Sequence, residues 1–131
     1  MKFERFFTKE STVPYLNTVQ YEFRNVSIKK PDNSTVFEMS NVEVPKQWSQ
    51  LATDILASKY FRKSGVPEYI SKDGSEHSIK QVVSRITESI TVQGIDNKYL
   101  DADSITIFNE ELQYILINQI AAFNSPVFFN C

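Results

Sequence analysis

The chain is poor in the residue types that build compact chemical sites. Its 131 residues include one cysteine, Cys131, and one histidine, His77. One thiol and one imidazole exclude a disulfide framework, a Cys-x-x-Cys redox pair and a zinc site of the usual Cys and His ligands. Three glycines, at positions 65, 74 and 94, are too few and too dispersed for a glycine-rich phosphate loop. We therefore expect no metal site in this chain.

An excess of charge of one sign is also missing. Lys and Arg number 14 and Asp and Glu number 16, so the net charge is −2 and no nucleic-acid partner is predicted. The longest nearly apolar run, residues 114–123, contains Asn118 and Gln119 and is too short to span a bilayer. The N-terminus lacks the apolar stretch of a signal peptide. We expect a cytoplasmic protein that has no membrane partner.

Residues 1–45 contain the signals of strands and turns. Val19, Tyr21 and Phe23 alternate with polar residues, which is the period of a half-buried strand. A turn cluster at residues 31–34 separates this strand from a returning strand at residues 35–39. The sequence therefore predicts an N-terminal β-hairpin.

Three helices, each with one apolar stripe, are predicted after this hairpin. The stripe of the first helix, which ends before Gly65, is Trp48, Leu51, Ala52, Ile55, Leu56 and Tyr60. That of the second is Ile79, Val82, Val83, Ile86 and Ile90. That of the third is Ile105, Phe108, Leu112, Ile115, Leu116 and Ile120. We expect Ser75 or Ser78 to cap the second helix and Gly94 to end it.

Acidic residues gather around the third helix, which we expect to stop at residues 121–123. Asp101 or Asp103 is expected to cap its start, and Glu110 and Glu111 lie in its N-terminal half. Paired carboxylates sometimes perform acid–base chemistry. Capping and interaction with the helix dipole explain these four residues more simply.

The last nine residues are unusually apolar for a chain terminus, which is normally polar and frayed. Phe123, Val127, Phe128 and Phe129 lie among them and need a surface to pack against. The pattern predicts a segment that leads into a larger hydrophobic core.

Four stretches of the chain resemble, in the same order, the N-terminal region of adenosylcobalamin-dependent (class II) ribonucleoside-diphosphate reductases. They are residues 3–10 (FERFFTKE), 33–38 (NSTVFE), 44–67 (VPKQWSQLATDILASKYFRKSGVP) and 121–130 (AAFNSPVFFN). The last stretch resembles the family's segment leading into the catalytic barrel, where a Trp commonly stands in place of Phe128. The resemblance runs from end to end of the chain.

The resemblance implies a mostly α (α+β) fold: a three-helix N-terminal domain with an N-terminal β-hairpin, leading into a ten-stranded α/β barrel. Residues 1–45 are then the extended and hairpin segment, residues 46–123 the helical domain, and residues 124–131 a truncated start of the barrel. Reductases of this family convert ribonucleoside diphosphates to deoxyribonucleoside diphosphates for DNA synthesis, by thiyl radical chemistry that adenosylcobalamin initiates.

The same resemblance implies that the chain carries no catalytic residue and no cobalamin site. It places Asn124 and Ser125 near the substrate diphosphate, and a serine hydroxyl with turn N–H groups is able to hold phosphate oxygens. The alternative is that Asn-Ser-Pro simply ends a helix. Cys131 has no histidine or base beside it in sequence and is expected to be structural or incidental, or else the first residue of an intein.

Two other interpretations stay open. The chain is a separate, non-catalytic subunit of a split reductase, which docks on a barrel made as another chain, or it is a free-standing structural or interaction protein. The partner in the first case is the remainder of the reductase, either covalently joined or separate.

Overall fold

A computed structural model describes residues 1–9 and 13–131; Glu10, the last residue of the first resembling stretch, lies outside the described residues. The elements are β1 (Tyr21–Lys29), β2 (Thr35–Pro45), α1 (Gln50–Ile55), α2 (Ile79–Asp96), α3 (Ile105–Ile117) and α4 (Ser125–Asn130). The chain divides into two compact units, and one boundary between them falls inside α2. Unit 1 is Met1–Val19 with Val83–Cys131, and unit 2 is Gln20–Val82. A hairpin followed by helices confirms the expected α+β class.

In unit 2, β1 and β2 form the predicted antiparallel hairpin. Its register pairs Tyr21 with Pro45 at the open end and Lys29 with Thr35 near the turn. In the turn, the Ser34 N–H donates to Asp32 Oδ1 at 2.9 Å. Asn33 takes a left-handed conformation with φ of 69°, which asparagine tolerates better than most residues.

The buried side of the hairpin differs from the prediction. Phe23 is 67% exposed, whereas Val26, Val42 and Val44 are fully buried. The side chain of Arg24 is only 14% exposed, and its Nη1 donates to the Trp48 carbonyl at 2.6 Å. A β-bulge between Arg24 and Val26 interrupts the alternation of β1. Alternation alone therefore gave the wrong face, because a bulge and a long cationic side chain change which residues are covered.

Helix α1 begins as its sequence favours but does not continue regularly. Ser49 is its N-cap, and the Ser49 Oγ accepts from the Ala52 N–H at 3.0 Å. After Ile55 the backbone widens into a π-helical turn, Leu56–Tyr60. Such turns insert an extra residue into the helical repeat and so break a 3.6-residue spacing.

The predicted apolar stripe of α1 is wrong in part. Leu51 is 68% exposed and Ile55 is also exposed, whereas Thr53 and Leu56 are buried. Thr53 Oγ1 accepts from Arg24 Nη1 at 3.0 Å and donates to the Ser49 carbonyl, also at 3.0 Å. The hydrogen bond from Arg24 holds the Thr53 side of α1 against β1, so a polar residue lies at the centre of the buried face.

The start of α2 confirms the predicted cap at Ser78. Its Oγ accepts from the Lys80 N–H at 3.1 Å, and Gln81 Oε1 accepts from the Ser78 N–H at 3.0 Å. The bond from the Ser78 N–H to the Gln81 side chain is one half of a capping box, while the Ser78 hydroxyl caps the N–H one residue earlier, at Lys80. Ser75, the other candidate, donates its hydroxyl to Asp73 instead.

The predicted end of α2 at Gly94 is wrong. The helix continues to Asp96, and Lys98 takes the left-handed conformation with φ of 59°. The Tyr99 N–H donates to the Gly94 carbonyl at 2.8 Å and the Lys98 N–H to the Ile95 carbonyl at 3.0 Å, which together form a Schellman motif. A Cβ on Gly94 would lie 2.7 Å from Leu100 Cδ1, so the close approach of Leu100 explains this glycine.

Helix α3 follows a 3₁₀ turn, Ala102–Ser104, and ends earlier than predicted. Leu116 is buried as expected, but Ile120 is 56% exposed and lies beyond the end at Ile117. Gln119 has a φ of 56°, and the Asn118 side chain donates to the Tyr114 carbonyl at 2.9 Å. These backbone and side-chain groups end the helix before residues 121–123.

The side chain of Glu110 is buried in unit 1, where it binds the N-terminal segment. Its Oε1 accepts from Arg5 Nη2 at 3.0 Å, and its Oε2 accepts from the Tyr15 N–H at 2.7 Å. Burial raises the pKa of Tyr15, whose hydroxyl accepts from Asn118 Nδ2 at 2.7 Å. The helix-dipole interpretation of Glu110 was therefore incomplete, because its main partners lie about a hundred residues earlier in the sequence.

Glu111 binds main-chain donors of the same segment. Its carboxylate accepts from the N–H groups of Phe6, Phe7 and Thr8, at 3.0 Å for Phe7 and 3.2 Å for Thr8. The ring of Phe7 stacks on that of Tyr114, with centroids 4.7 Å apart. Residues 6–8 have no regular secondary structure, so this carboxylate substitutes for the partners that a helix or sheet would supply.

Asp101 takes the N-cap position of the 3₁₀ turn that precedes α3, but its side chain makes no capping hydrogen bond, so the expected side-chain cap is wrong. The N-cap position of α3 is Ser104, whose Oγ accepts from the Phe3 N–H at 2.7 Å. Asp101 Oδ1 lies 3.4 Å from the Met1 amine, and Asp103 Oδ2 lies 3.9 Å from Lys2 Nζ. The side-chain oxygens of Asp101, Asp103 and Ser104 all lie close to donors of the N-terminal segment. These donors compete for them with the N–H groups at the start of α3.

Replacing Glu110 with alanine is predicted to lower the free energy of unfolding by about 3 kcal/mol. The change leaves the part-buried Arg5 guanidinium and the Tyr15 N–H without an acceptor, and hydrogen bonds to charged groups are worth about 1.5–3 kcal/mol each. Urea unfolding of the chain measures the difference. The matched control is Glu88→Ala, on an exposed position of α2, with an expected change within about 0.5 kcal/mol. Equal effects of the two substitutions would contradict this account of Glu110.

Candidate functional site

Asn124 and Ser125, the predicted substrate-binding residues, lie at the start of a short helix. Asn124 has an extended conformation with ψ of 166°, and α4 runs from Ser125 to Asn130 with Pro126 in its first turn. Proline is favoured in this position because its fixed φ suits the first helical turn. The alternative that Asn-Ser-Pro ends a helix is therefore wrong, since the motif begins one.

The two side chains differ in their surroundings. Asn124 is exposed, and its carbonyl accepts from the Val127 N–H at 3.1 Å, which closes the first turn of α4. Ser125 is half-buried. Both residues therefore lie on one turn, with a hydroxyl and main-chain N–H groups close together.

Arg85 of α2 binds the other end of this short helix. Its Nη1 donates to the Phe128 carbonyl at 2.7 Å and to the Cys131 carbonyl at 2.8 Å. The sequence gave no signal for this contact, because Arg85 and Phe128 are 43 residues apart and no local pattern connects them. Cys131 is half-buried, and Phe129 is 55% exposed.

A second polar cluster lies in the loop before α2. His77 Nε2 is 2.7 Å from Asp73 Oδ2 and 3.0 Å from Ser75 Oγ. Serine, histidine and aspartate form the triad of many hydrolases, but there the two partners bind different ring nitrogens. Here both oxygens meet the same nitrogen, so the imidazole is unable to relay a proton between them. We interpret the cluster as a stabilised turn in which His77, expected on the surface, is hydrogen-bonded.

Unit 1 also contains an apolar cleft of about 310 Å³. Its lining residues are Met1, Phe3, Ile90, Gln93, Gly94, Asn97, Tyr99, Leu100 and Phe108. Across residues 1–9 and 13–131, no three His, Cys, Asp or Glu side chains come together as a metal site would require. In the same residues, no helix is both long and apolar enough to cross a membrane.

The fold defines an α+β module with a hairpin followed by helices, and its sequence is similar to those of known proteins. The family described as class II vitamin B12-dependent ribonucleotide reductase matches residues 22–119. The chain belongs to this family. The match covers α1, α2, α3 and all of the hairpin except Tyr21, and it contains two of the four stretches, residues 33–38 and 44–67, so the family that the resemblance named is confirmed.

Three curated relatives extend the similarity to 99% of the chain. The vitamin B12-dependent ribonucleotide reductases of Agrobacterium fabrum, Rhodopirellula baltica and Streptomyces coelicolor are 35%, 36% and 40% identical to it. The chain spans only 12% of the first two relatives and 13% of the third.

The described residues do not fit a cobalamin. A corrin ring with its side chains is far larger than the cleft of about 310 Å³ in unit 1. The one imidazole of the sequence, His77, has its Nε2 bound to Asp73 and Ser75.

Asp73→Asn is predicted to lower the free energy of unfolding at neutral pH but not in acid. Hydrogen bonds from the Ser75 N–H and from the Ser71 and Ser75 hydroxyls hold the pKa of Asp73 well below its ordinary value of 3.8. A lowered folded-state pKa gives stabilisation that is complete above the unfolded pKa and is lost as pH falls through the folded one.

Urea unfolding of Asp73→Asn and of the unchanged chain between pH 7 and pH 2 measures this difference. We expect a lower midpoint for the variant at pH 7 and a gap that narrows below pH ~4. The control is Asp54→Asn, because Asp54 accepts one side-chain hydrogen bond, from Gln50. A gap for Asp73→Asn that stays constant down to pH 2 would show that these hydrogen bonds do not favour the carboxylate.

Proposed function

We propose that the chain is the N-terminal part of a ribonucleotide reductase that reduces ribonucleoside diphosphates to deoxyribonucleoside diphosphates in the cytoplasm, for DNA synthesis. The observation that carries the proposal is the similarity over 99% of the chain to reductases of which it spans 12–13%. In this proposal the remainder of the reductase supplies the barrel, the adenosylcobalamin site and the cysteines of the thiyl radical chemistry. Cobalamin, when bound there, supplies the radical.

Within this reductase, we assign Ser125 and Asn124 to the binding of the substrate diphosphate. The Ser125 hydroxyl, at the start of α4, is a donor without formal charge, and such donors bind phosphate oxygens in turns. The extended conformation of Asn124 keeps its amide side chain exposed beside this turn. The assignment rests on the family resemblance of residues 121–130 and on this geometry.

The isolated 131-residue chain is predicted to form no deoxynucleotide when it is mixed with adenosylcobalamin, a ribonucleoside diphosphate and a dithiol. It has a single cysteine, whereas the chemistry of the family uses a radical cysteine and a reducing pair. Product analysis by liquid chromatography measures the outcome, with a complete class II reductase as the positive control. Turnover by the purified chain would refute the proposal that the catalytic cysteines and the cobalamin site lie in the remainder of the reductase.

Ser125→Ala, made in the complete reductase that contains this segment, is predicted to raise the KM for the nucleoside diphosphate about tenfold. A hydrogen bond to a charged phosphate is worth about 1.5–3 kcal/mol, and about 1.4 kcal/mol corresponds to a factor of ten. We expect kcat to change by less than about twofold, because the lost contact binds substrate and transition state alike.

The matched control for this variant is Ser27→Ala, the same chemical change at an exposed position of β1. Its KM and kcat are expected to equal those of the unchanged enzyme. If Ser125→Ala gave the same constants as Ser27→Ala, the assignment of Ser125 to substrate binding would be withdrawn.

A further inference from the structure

Part of the connection between α1 and α2, residues 66–74, is a loop that is closed at its base. The Val66 N–H donates to the Gly74 carbonyl at 3.0 Å. Gly65 and Gly74 take the left-handed conformation, with φ of 79° and 75°, which glycine adopts without steric cost. A compact loop whose ends lie together has the features of an Ω-loop, a type that is frequently functional. We call residues 66–74 the Tyr69 loop.

The tip of the Tyr69 loop is also held by hydrogen bonds. The Pro67 carbonyl accepts from the N–H groups of Ile70 and Ser71, at 2.9 Å and 3.0 Å. Asp73 Oδ1 accepts from the Ser71 hydroxyl at 2.9 Å. These bonds involve main-chain atoms and short polar side chains, so the tip is held without the Tyr69 side chain.

Tyr69 and Ile70 project from this tip into solvent. Tyr69 is 88% exposed, more than any other large apolar side chain of residues 1–9 and 13–131, and Ile70 is 49% exposed. A single exposed apolar side chain is common on protein surfaces. Two neighbours on a hydrogen-bonded tip differ, because a pre-formed loop loses little conformational entropy when its side chains are buried. Tyrosine is also one of the residues that most often dominate an interface.

The charges beside the tip favour a protein surface as its partner. Glu68 and Lys72 are exposed, carry opposite charges and lie on either side of the two apolar residues in the sequence. Asp73, which is also exposed, adds a second negative charge. A nucleic acid or an anionic membrane would require an excess of cations. An apolar centre with a polar rim of mixed charge is the usual composition of a contact between protein surfaces.

The size of the tip favours a partner on the same polypeptide. An aromatic side chain buries about 150–250 Å², whereas a stable interface between separate proteins buries about 800 Å² on each partner. Tyr69 and Ile70 together supply at most roughly half of that area. A contact of this size suffices when the two surfaces are already joined, because tethering gives a high effective concentration. The relatives extend far beyond the 12–13% of their length that this chain spans.

We propose that the Tyr69 loop is an anchor that inserts Tyr69 and Ile70 into an apolar pocket on the remainder of the reductase polypeptide; this inference rests on the proposed function, which supplies that remainder. The Tyr69 ring fills the pocket, and Ile70 packs at its edge. Glu68 and Lys72 stay at the rim, in contact with water.

Hydroxyl-radical footprinting of the complete reductase that contains this segment tests the anchor, because mass spectrometry then reports the exposure of each side chain. We expect Tyr69 to be oxidised about tenfold more slowly than in a synthetic peptide of residues 64–75. An oxidation rate within about twofold of that of the peptide would overturn the inference.

A photo-crosslinker in place of Tyr69, p-benzoylphenylalanine, identifies what covers the loop. In the complete reductase we expect a crosslinked product of the size of one chain, joined to a peptide that lies beyond residue 131. A product of the size of two chains would overturn the inference, because a second copy would then be the partner. A crosslink within residues 1–131 would also overturn it.

Three variants of the complete reductase test the role of the ring. Tyr69→Ala should speed the oxidation of Ile70 at least about fivefold, because the loop then leaves its pocket. Tyr69→Phe keeps the ring, and Glu68→Ala is the control at the rim, where contacts contribute little. Both should change the rate by less than about twofold. Equal Ile70 rates in Tyr69→Ala and Glu68→Ala would overturn the anchoring role.

An activity assay of the same complete protein separates this inference from the proposed function. A protected Tyr69 and a crosslink beyond residue 131, in a protein that reduces no ribonucleoside diphosphate, would refute the proposed function and support the anchor. Full reductase activity with an exposed Tyr69 would overturn the anchor alone.

Discussion

Two adjacent carboxylates of α3 determine how the irregular N-terminal segment is held in unit 1. Glu110 accepts from the Arg5 guanidinium and the Tyr15 N–H, and Glu111 accepts from main-chain N–H groups at residues 6–8. Such donors lose water when a segment packs and are costly to leave unpaired. Because residues 1–9 contain no strand or helix, side chains have to supply their partners, and the oxygens of α3 do so.

In unit 2 it is main-chain carbonyls that need hydrogen-bond partners, and a cationic side chain supplies them. There Arg24 is the donor, and it satisfies the carbonyls of Trp48 and Lys46 as well as Thr53 Oγ1. The loop after β2 and the first turn of α1 are in this way joined to the hairpin by one guanidinium. In unit 1, Arg85 does the same for the carbonyls of α4. Long charged side chains thus fix short or irregular segments in each unit, while apolar residues such as Val26 and Ile86 are buried beside the regular elements.

This arrangement gives the family membership a structural meaning. The part of the chain for which we propose substrate binding, at Asn124 and Ser125, is the start of α4. It presents the hydroxyl that we assign to the diphosphate, and Arg85 of α2 donates to the Phe128 carbonyl of the same helix.

The sequence by itself determined the hairpin, the order and approximate places of three helices and the family, because these depend on local periodicity, turn residues and motif order. It narrowed the cap of α2 to Ser75 or Ser78, and the structure decided for Ser78. Only the tertiary structure decided that Phe23, Leu51 and Ile120 are exposed, that Gly94 lies beneath Leu100, and that Glu110 and Arg85 bind distant main chain. Asn124 and Ser125 were predicted from the motif, whereas nothing in the sequence predicted a role for Arg85. The physical reason is that a hydrogen bond between residues 43 or 95 positions apart leaves no trace in a local pattern. A hydrophobic stripe likewise records which residues are apolar and not which long polar side chains compete with them for the covered side.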